Sequence, residues 1–589
     1  MKARQLLQVV AITATVLLAL TLLAAVVSAL RGWAQILVLA GATLVTLAAI
    51  GVARKRVPKG TVIEVDLDGG IIEKMGSDPL SRAMHRRAVT VRDLVDALGR
   101  GAEDSRISGL VARLGNGGID VAHAQELRDA IHSFRGAGKR AVAFAEAFGE
   151  RGPALIDFYL ASAFDRIYLQ PRAIVAVEGL VARSPFLRGL FDRAGLIPDF
   201  EHREEYKSAK NLLTETRFTE AHREVQESIT GDLFSQVVAG IAADRGLEAG
   251  TVERLIDSAP LTAEEALAAG LVDHLGHRDQ AFRAAGERFM FGDRYLRKSG
   301  RPHRKGPKVA LIYGTGSISR GSSGFDPLTR SSSLGADDVA AAFREAIDDD
   351  KVKAIVFRVD SPGGSAVASE VVSRELDRAK ESGKPVVVSM GSVAGSGGYW
   401  ISAPAAKIVA QPGTITGSIG VVWGKLADRD AWARLGITFD QVVLGRNATF
   451  SSSRDPYTDS ERDRLGVVIE DIYDNFIEHV AANRELDAEE TRRIAKGRIW
   501  TGAQAAENGL VDELGGLERA IALVKEEAGL DLESDVKLVV FPRERALPLP
   551  RRRESSEPVE LAAGILADVF DGLAESVSGA QARTWFRVG

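Results

Sequence analysis

The sequence predicts an α/β protein built from two tandem copies of one unit, preceded by transmembrane helices. Three observations carry this. Residues 6–30 and 34–53 are apolar and uncharged. After residue 60, one order of strand-like and helical stretches runs twice. Within each copy, short apolar runs alternate with helical stretches, the pattern of mostly parallel strands joined by helices.

Length and composition set the frame. A chain of 589 residues exceeds a single ordinary core, so several domains are expected. With 45% hydrophobic and 26% charged residues the composition is globular. A net charge of -5 gives no reason to expect a nucleic-acid partner. There is no cysteine, which excludes disulfides, thiolate nucleophiles and zinc–cysteine sites but does not fix the redox compartment.

Residues 1–60 read as a membrane anchor with the lipid bilayer as partner. The stretch 6–30 is long enough to span a bilayer, Arg31-Gly32-Trp33 interrupts it, and 34–53 is a second spanning length. The first stretch exceeds the usual apolar region of a cleaved signal peptide, about 7–15 residues. Lys2 and Arg4 before the spans, and Arg54, Lys55, Arg56 and Lys59 after them, place both ends in the cytoplasm by the positive-inside rule. One effective span, with the other segment in the interface, places the remainder outside. Both orientations stand at this point, so the localisation is the cell membrane with the side open.

The first copy, residues 61–297, starts with the strand-like 61–65, continues through the helical 91–98, and reaches the strand 109–114, which ends in Gly115-Asn116-Gly117-Gly118. The apolar run 141–145 follows, then Phe158-Tyr159-Leu160-Ala161-Ser162 leading to Gln170-Pro171. The second copy, residues 307–541, starts with 309–313, has a helix at 337–347, and a strand 354–359 that ends in Asp360-Ser361-Pro362-Gly363-Gly364. Residues 386–388 are its next strand, and Tyr399-Trp400-Ile401-Ser402-Ala403 leads to Gln411-Pro412. The tails match as well: Gly270-Leu271-Val272-Asp273 parallels Gly509-Leu510-Val511-Asp512. Residues 298–306, basic with Gly and Pro, read as a linker, and 542–589 as a Pro/Arg-rich linker with an amphipathic tail.

Ser396, flanked by Gly395, Gly397 and Gly398, follows a short buried strand (386–388) and a small-residue turn (391–395), and precedes a helix. A hydroxyl at such a strand-to-helix turn lies near unpaired backbone amides that stabilise an oxyanion. On this window alone a helix cap explains the serine equally well.

The two copies differ where chemistry would sit. Aligning their Gln-Pro ends places Leu155 opposite Ser396. Tyr206-Lys207-Ser208-Ala209 of the first copy faces Gly445-Arg446-Asn447-Ala448 of the second, so Lys207 faces Arg446. Arginine stays protonated and is no base. Each copy thus keeps one member of a pair, as a single composite site would leave after duplication. No histidine stands with an acid in a recognisable triad order, no ligand spacing suggests a metal, and the Gly-rich loops lack a phosphate-loop ending.

Asp360-Ser361-Pro362-Gly363-Gly364, Gly395-Ser396-Gly397-Gly398-Tyr399-Trp400, Thr416-Gly417-Ser418-Ile419-Gly420 and Tyr206-Lys207-Ser208-Ala209 together resemble the long, duplicated form of the protease IV (signal peptide peptidase A) family. In feature order the resemblance covers about residues 61–541. It implies tandem Clp/crotonase-like domains of ββα type and a membrane-anchored serine endopeptidase with a Ser–Lys dyad. The implied roles are Ser396 as nucleophile, Lys207 as general base and Ser418 orienting the lysine, with the amides of Gly364 and Gly397 as oxyanion hole. Pro362, Gly363 and Ser365 lie on the implied substrate edge. The resemblance further implies apolar peptides such as cleaved signal peptides as substrates, a homo-oligomer (a tetramer), and neither cofactor nor metal. Gly395 stands where Ala is more usual, Lys210-Asn211 follows the lysine motif, and two apolar spans replace a single anchor. The competing readings are a crotonase-like acyl-CoA enzyme using only the backbone amides, and a non-catalytic membrane scaffold.

Overall fold

The computed structural model describes residues 57–76, 79–85, 88–150, 152–326 and 331–543. The two N-terminal spans and the tail after residue 543 lie outside the described residues. Among the described residues no helix is long and apolar enough to cross a membrane.

The apolar runs of the first half form a parallel sheet. Its elements are β1 (Thr61–Asp66), α1 (Val91–Glu103), β2 (Ile107–Arg113), α2 (Val121–Gly136), β3 (Arg140–Ala145), α3 (Leu155–Ser162), β4 (Arg166–Leu169), α4 (Arg188–Ala194), β5 (Ile197–His202), α5 (Glu220–Arg245), β6 (His274–Leu275) and β7 (Arg288–Phe291). The strand order is β6-β4-β3-β2-β1-β7, every pair parallel, with β5 apart from it. Parallel strands covered on both faces read as continuous apolar runs rather than alternating ones. Ala141 to Ala145 is such a run, with every residue fully buried.

The second half repeats the plan on a longer sheet. Its elements are β8 (Lys308–Thr315), α6 (Ala336–Asp348), β9 (Val352–Ser361), α7 (Ala366–Glu381), β10 (Val386–Gly395), α8 (Gly397–Trp400), β11 (Lys407–Ala410), β12 (Ile415–Gly417), β13 (Val422–Ala427), α9 (Arg429–Arg434), α10 (Asp459–Arg484), β14 (Ile499–Thr501), β15 (Glu513–Leu514), α11 (Leu517–Glu527) and β16 (Lys537–Phe541). The main order is β14-β12-β10-β9-β8-β16, and β11 joins β10 to β15. The duplication reaches the helix ends: α5 and α10 are each 26 residues long, and each starts on a threonine, Thr219 or Thr458, whose hydroxyl accepts a backbone N–H of the first turn.

One expectation is corrected here. Residues 391–395 are not a turn after a three-residue strand; β10 runs unbroken from Val386 to Gly395. It does so by slipping. Val359 pairs Met390, but Ser361 pairs Ala394, so β10 carries two extra residues there. Such a bulge re-aims a strand end without breaking the sheet. The last residues of β10 then pair with β12, Val393 with Ile415 and Gly395 with Gly417. The sequence pattern missed this because small residues in an extended run look like a turn.

The halves are joined by an antiparallel ribbon. β5 of the first half pairs β13 of the second, from Val422 with His202 to Ala427 with Ile197. Arg462 of α10 clamps its outer face through Asp199 and Glu201. This ribbon delivers the residues after His202 to the end of β10.

Candidate active site

The loop after β5 is short and held at both ends. The Arg203 amide donates to Val421 O at 3.0 Å, and the Tyr206 amide to Lys496 O at 3.2 Å. Between these anchors Lys207 turns inward and is 5% exposed. Its Nζ lies 3.0 Å from Ser396 Oγ, 3.0 Å from Ser418 Oγ and 2.7 Å from Ser418 O. No carboxylate is among these partners. Burial without a counter-ion disfavours the ammonium, and it pushes the Lys207 amine down to about 7.

The three contacts fit an ammonium donating to all three oxygens, and they also fit a neutral amine. Such an amine has two N–H donors and one lone pair. Ser418 O and Ser418 Oγ take the two donors, and the lone pair is left for the Ser396 hydroxyl. When the amine is neutral this geometry lets the Ser396 hydroxyl donate to Lys207, the arrangement general-base activation requires.

Ser396 and Ser418 both have left-handed backbone, each with φ of 54°. A serine held there is strained and persists because its surroundings fix it. The Ser396 amide donates to Gly417 O at 2.8 Å, and the Ser418 amide to Arg498 O at 2.7 Å.

Glycines let three backbones close around the pair. A Cβ on Gly363 would lie 2.6 Å from Gly397 N, and one on Gly397 would lie 3.2 Å from Gly364 N. The loop after β9 and the turn at Ser396 are thus in backbone contact. Among the described residues the amides of Gly364 and Gly397 donate to no acceptor. They form a pair of free donors beside the serine, the arrangement of an oxyanion hole.

The substrate edge is narrower than the sequence implies. Gly363 O accepts from the Ile318 amide at 2.8 Å, and the Ser365 amide donates to Ile318 O at 3.0 Å. The Ser365 hydroxyl caps α7 through the Ala368 amide. Gly363 and Ser365 are therefore not a free edge, because the chain's own residue 318 occupies it. Gly364 is the residue opposite Ile318 in that bridge, with its own amide left unbonded, and Pro362 stays outside it.

Two stretches, residues 134–289 and 378–531, match the model of peptidase family S49. A protein named Protease 4 from Salmonella typhi is 31% identical over 497 residues, 79% of this chain and 78% of its own length. One named Serine protease SPPA, chloroplastic, from Arabidopsis thaliana is 29% identical over 83% of this chain and 72% of its own length. One named Putative signal peptide peptidase SppA from Enterococcus faecium is 34% identical over 31% of this chain and 53% of its own length.

The chain belongs to peptidase family S49. It is accordingly a serine peptidase with the family unit duplicated. The two S49 units are unequal, and the structure says how. In the first, Leu155 replaces the serine, and Val177 stands where Ser418 stands in the second. The glycine amides at the end of β2 are also not free there: Gly117 donates to Asp157 Oδ1 at 3.0 Å. Asp157 aligns with Gly398, so a carboxylate fills the space that glycine leaves open in the second S49 unit. Burial pushes that carboxyl up to about 6.

Two groups of residues at the S49 site were not singled out from sequence. A Cβ on Gly497 would lie 2.5 Å from Lys207 N, and one on Gly420 would lie 3.3 Å from Lys207 Cδ, so these glycines make room for the lysine. Gly420 closes the motif around Ser418, whereas nothing in a single sequence marks Gly497. Arg358, by contrast, leaves a legible sign: a charged residue inside the apolar run of β9 requires buried partners. Lys210, three residues beyond Lys207, lines an open cavity of about 610 Å³ with His202, Glu205 and Glu224, away from the serine.

Proposed function

We propose that the peptidase is a membrane-anchored endopeptidase that works through a Ser396–Lys207 dyad and degrades apolar peptides such as cleaved signal peptides. The observation that carries this is the buried Lys207 amine 3.0 Å from Ser396 Oγ with only Ser418 as its other partner.

Lys207 takes the proton as Ser396 Oγ forms its bond to the peptide carbonyl carbon. The oxygen of that carbonyl gains negative charge between the amides of Gly364 and Gly397. Collapse breaks the C–N bond, and Lys207 passes the proton to the leaving amine. Water then enters and loses a proton to Lys207 as its oxygen bonds the acyl carbon; the bond to Ser396 Oγ breaks, Lys207 returns the proton to that oxygen, and the acid product leaves. Removing one oxyanion donor in such a site costs about 10²–10³ in rate.

The membrane part of the reading rests on residues 6–30 and 34–53, two uncharged spanning lengths. The substrate class rests on the name of the Enterococcus faecium relative and on the Clp/crotonase-like plan of each half, a parallel sheet whose strand ends carry the site. A homo-oligomer is favoured by an asymmetry of the duplication. Within one chain β5 pairs β13, but their counterparts, residues 437–443 and 181–186, pair with no strand. The first of these stretches leaves Ile437, Phe439, Val442, Val443 and Leu444 exposed. A second copy supplies each with its counterpart strand.

The test is hydrolysis of a fluorogenic apolar peptide ester by the wild type, Ser396→Ala, Lys207→Ala and Lys210→Ala. Loss in the first two variants and retention in the third is expected. Full activity in Ser396→Ala overturns the dyad.

A further inference from the structure

Beneath the dyad lies a buried cluster of charge that the reaction does not use. Arg358, in the middle of β9, is 1% exposed. Its guanidinium donates to Glu73 at 2.9 and 3.0 Å and to Glu126 at 2.7 Å, both in the first half. Glu73 also lies 3.0 Å from His123 Nε2, and Asp120 lies 2.7 Å from His123 Nδ1. Burial opposes charge on His123, but Asp120 and Glu73 overcome it and hold the ring protonated well above its usual range.

His123 touches the second half at the two places that shape the site. Ser392 Oγ is 3.1 Å from His123 Nδ1. The Asp360 carboxyl lies within 4.8 Å of the ligand-type atoms of both His123 and Glu73. Asp360 in turn accepts the Val393 amide at 3.0 Å. That amide belongs to the two-residue bulge of β10, three residues before Ser396. Asp360 itself stands four residues before Gly364. The grouping of Glu73, His123 and Asp360 does not invite a cation, because Arg358 already neutralises Glu73 and both ring nitrogens of His123 face carboxylates.

We propose that His123 is a positioning residue for the reaction: held by Glu73 and Asp120 of its own half, it reaches across to Ser392 and the Asp360 carboxyl, and through the Val393 amide this holds the bulge that aims Ser396 at the oxyanion amides. The charges decide the direction. Asp360 is faced by Glu73 and Asp120, both anionic, and His123 is the cation nearest to it; Arg358 is spent on Glu73 and Glu126. Burial, with Glu73 and Asp120 behind it, pushes Asp360 up to about 6, and His123 opposes the shift. Without the imidazolium the carboxyl takes a proton at higher pH and loosens its grip on the amide.

The proposal rests on the dyad reading and is tested with Ser396 and Lys207 intact. Values of kcat and KM for the apolar ester are measured across neutral and mildly acidic pH for wild type, His123→Gln, Asp360→Asn and the double variant His123→Gln/Asp360→Asn. In His123→Gln, kcat falls about tenfold or more just below neutrality, KM holds, and the acid limb moves up in pH. Asp360→Asn, uncharged at every pH, reproduces the loss, and the double variant falls no further, because the imidazolium acts through the charge on that carboxylate. Wild-type kcat and pH profile in His123→Gln overturn the proposal. So do losses that multiply in the double variant, which mark His123 as fold support acting independently of Asp360. Failure of the dyad reading shows separately, as activity in Ser396→Ala.

Discussion

Lys207 and Ser396 are separated by 189 positions and lie in different copies of the duplicated unit, yet the amine and the hydroxyl are 3.0 Å apart. Nothing anionic stands beside the amine, so its basicity comes from burial alone.

The pH dependence follows directly. In the proposed dyad the reactive form is the neutral amine, and burial sets its midpoint at about 7. Below that value kcat/KM rises about tenfold per pH unit, and above it the profile levels off. A profile still climbing steeply well above pH 9 would mean that Lys207 titrates as an exposed lysine and is not the base.

Stability carries the same signature with a definite sign. The folded-state value of Lys207 is lowered from an unfolded value near 10.5, so between the two the unfolded chain binds more protons and stability rises with pH. The penalty is full below about 7, falls steadily as pH rises from there, and is essentially gone at the unfolded value near 10.5. Lys207→Met is therefore expected to be more stable than wild type, by on the order of 3 kcal/mol at mildly acidic pH and by progressively less in alkali. Denaturant unfolding at two pH values measures it.

Gly497 is expected to be intolerant of any side chain. Its φ is +73°, and a Cβ would meet the Lys207 backbone nitrogen at 2.5 Å. Gly497→Ala displaces the lysine from Ser396 and lowers kcat about a hundredfold, at a stability cost of about 1–2 kcal/mol. Steady-state kinetics beside thermal unfolding separates the two effects.

A serine-directed phosphonate should label one site per chain. The first S49 unit has Leu155 in place of the serine, and Asp157 accepts the amide of Gly117. Intact mass after labelling is expected to show a single adduct, lost in Ser396→Ala. A second adduct would mean that the first half retains a nucleophile.

The exposed stretch after α9 gives a test of self-association. Val442 and Leu444 are 93% and 88% exposed. Val442→Asp with Leu444→Asp is expected to lower the mass of the particle in light scattering while the ester assay still detects Ser396–Lys207 chemistry. An unchanged mass would place the contact between copies elsewhere.

Much of this protein is written locally. Alternating apolar and helical stretches, repeated twice, give the parallel α/β plan, because periodicity reports which faces a segment buries. The motifs around Lys207, Gly364, Ser396 and Ser418 and the unequal copies are the signals in the sequence from which the shared dyad is proposed. What only the tertiary structure decided depends on distance through space. The slip between Val359 and Ser361 that carries Ser396 forward, the glycines that admit Lys207 and the cluster of Arg358, Glu73 and His123 all join segments far apart in sequence. A base strength set by desolvation belongs to the same class, since it depends on what surrounds the amine and not on its neighbours in the chain.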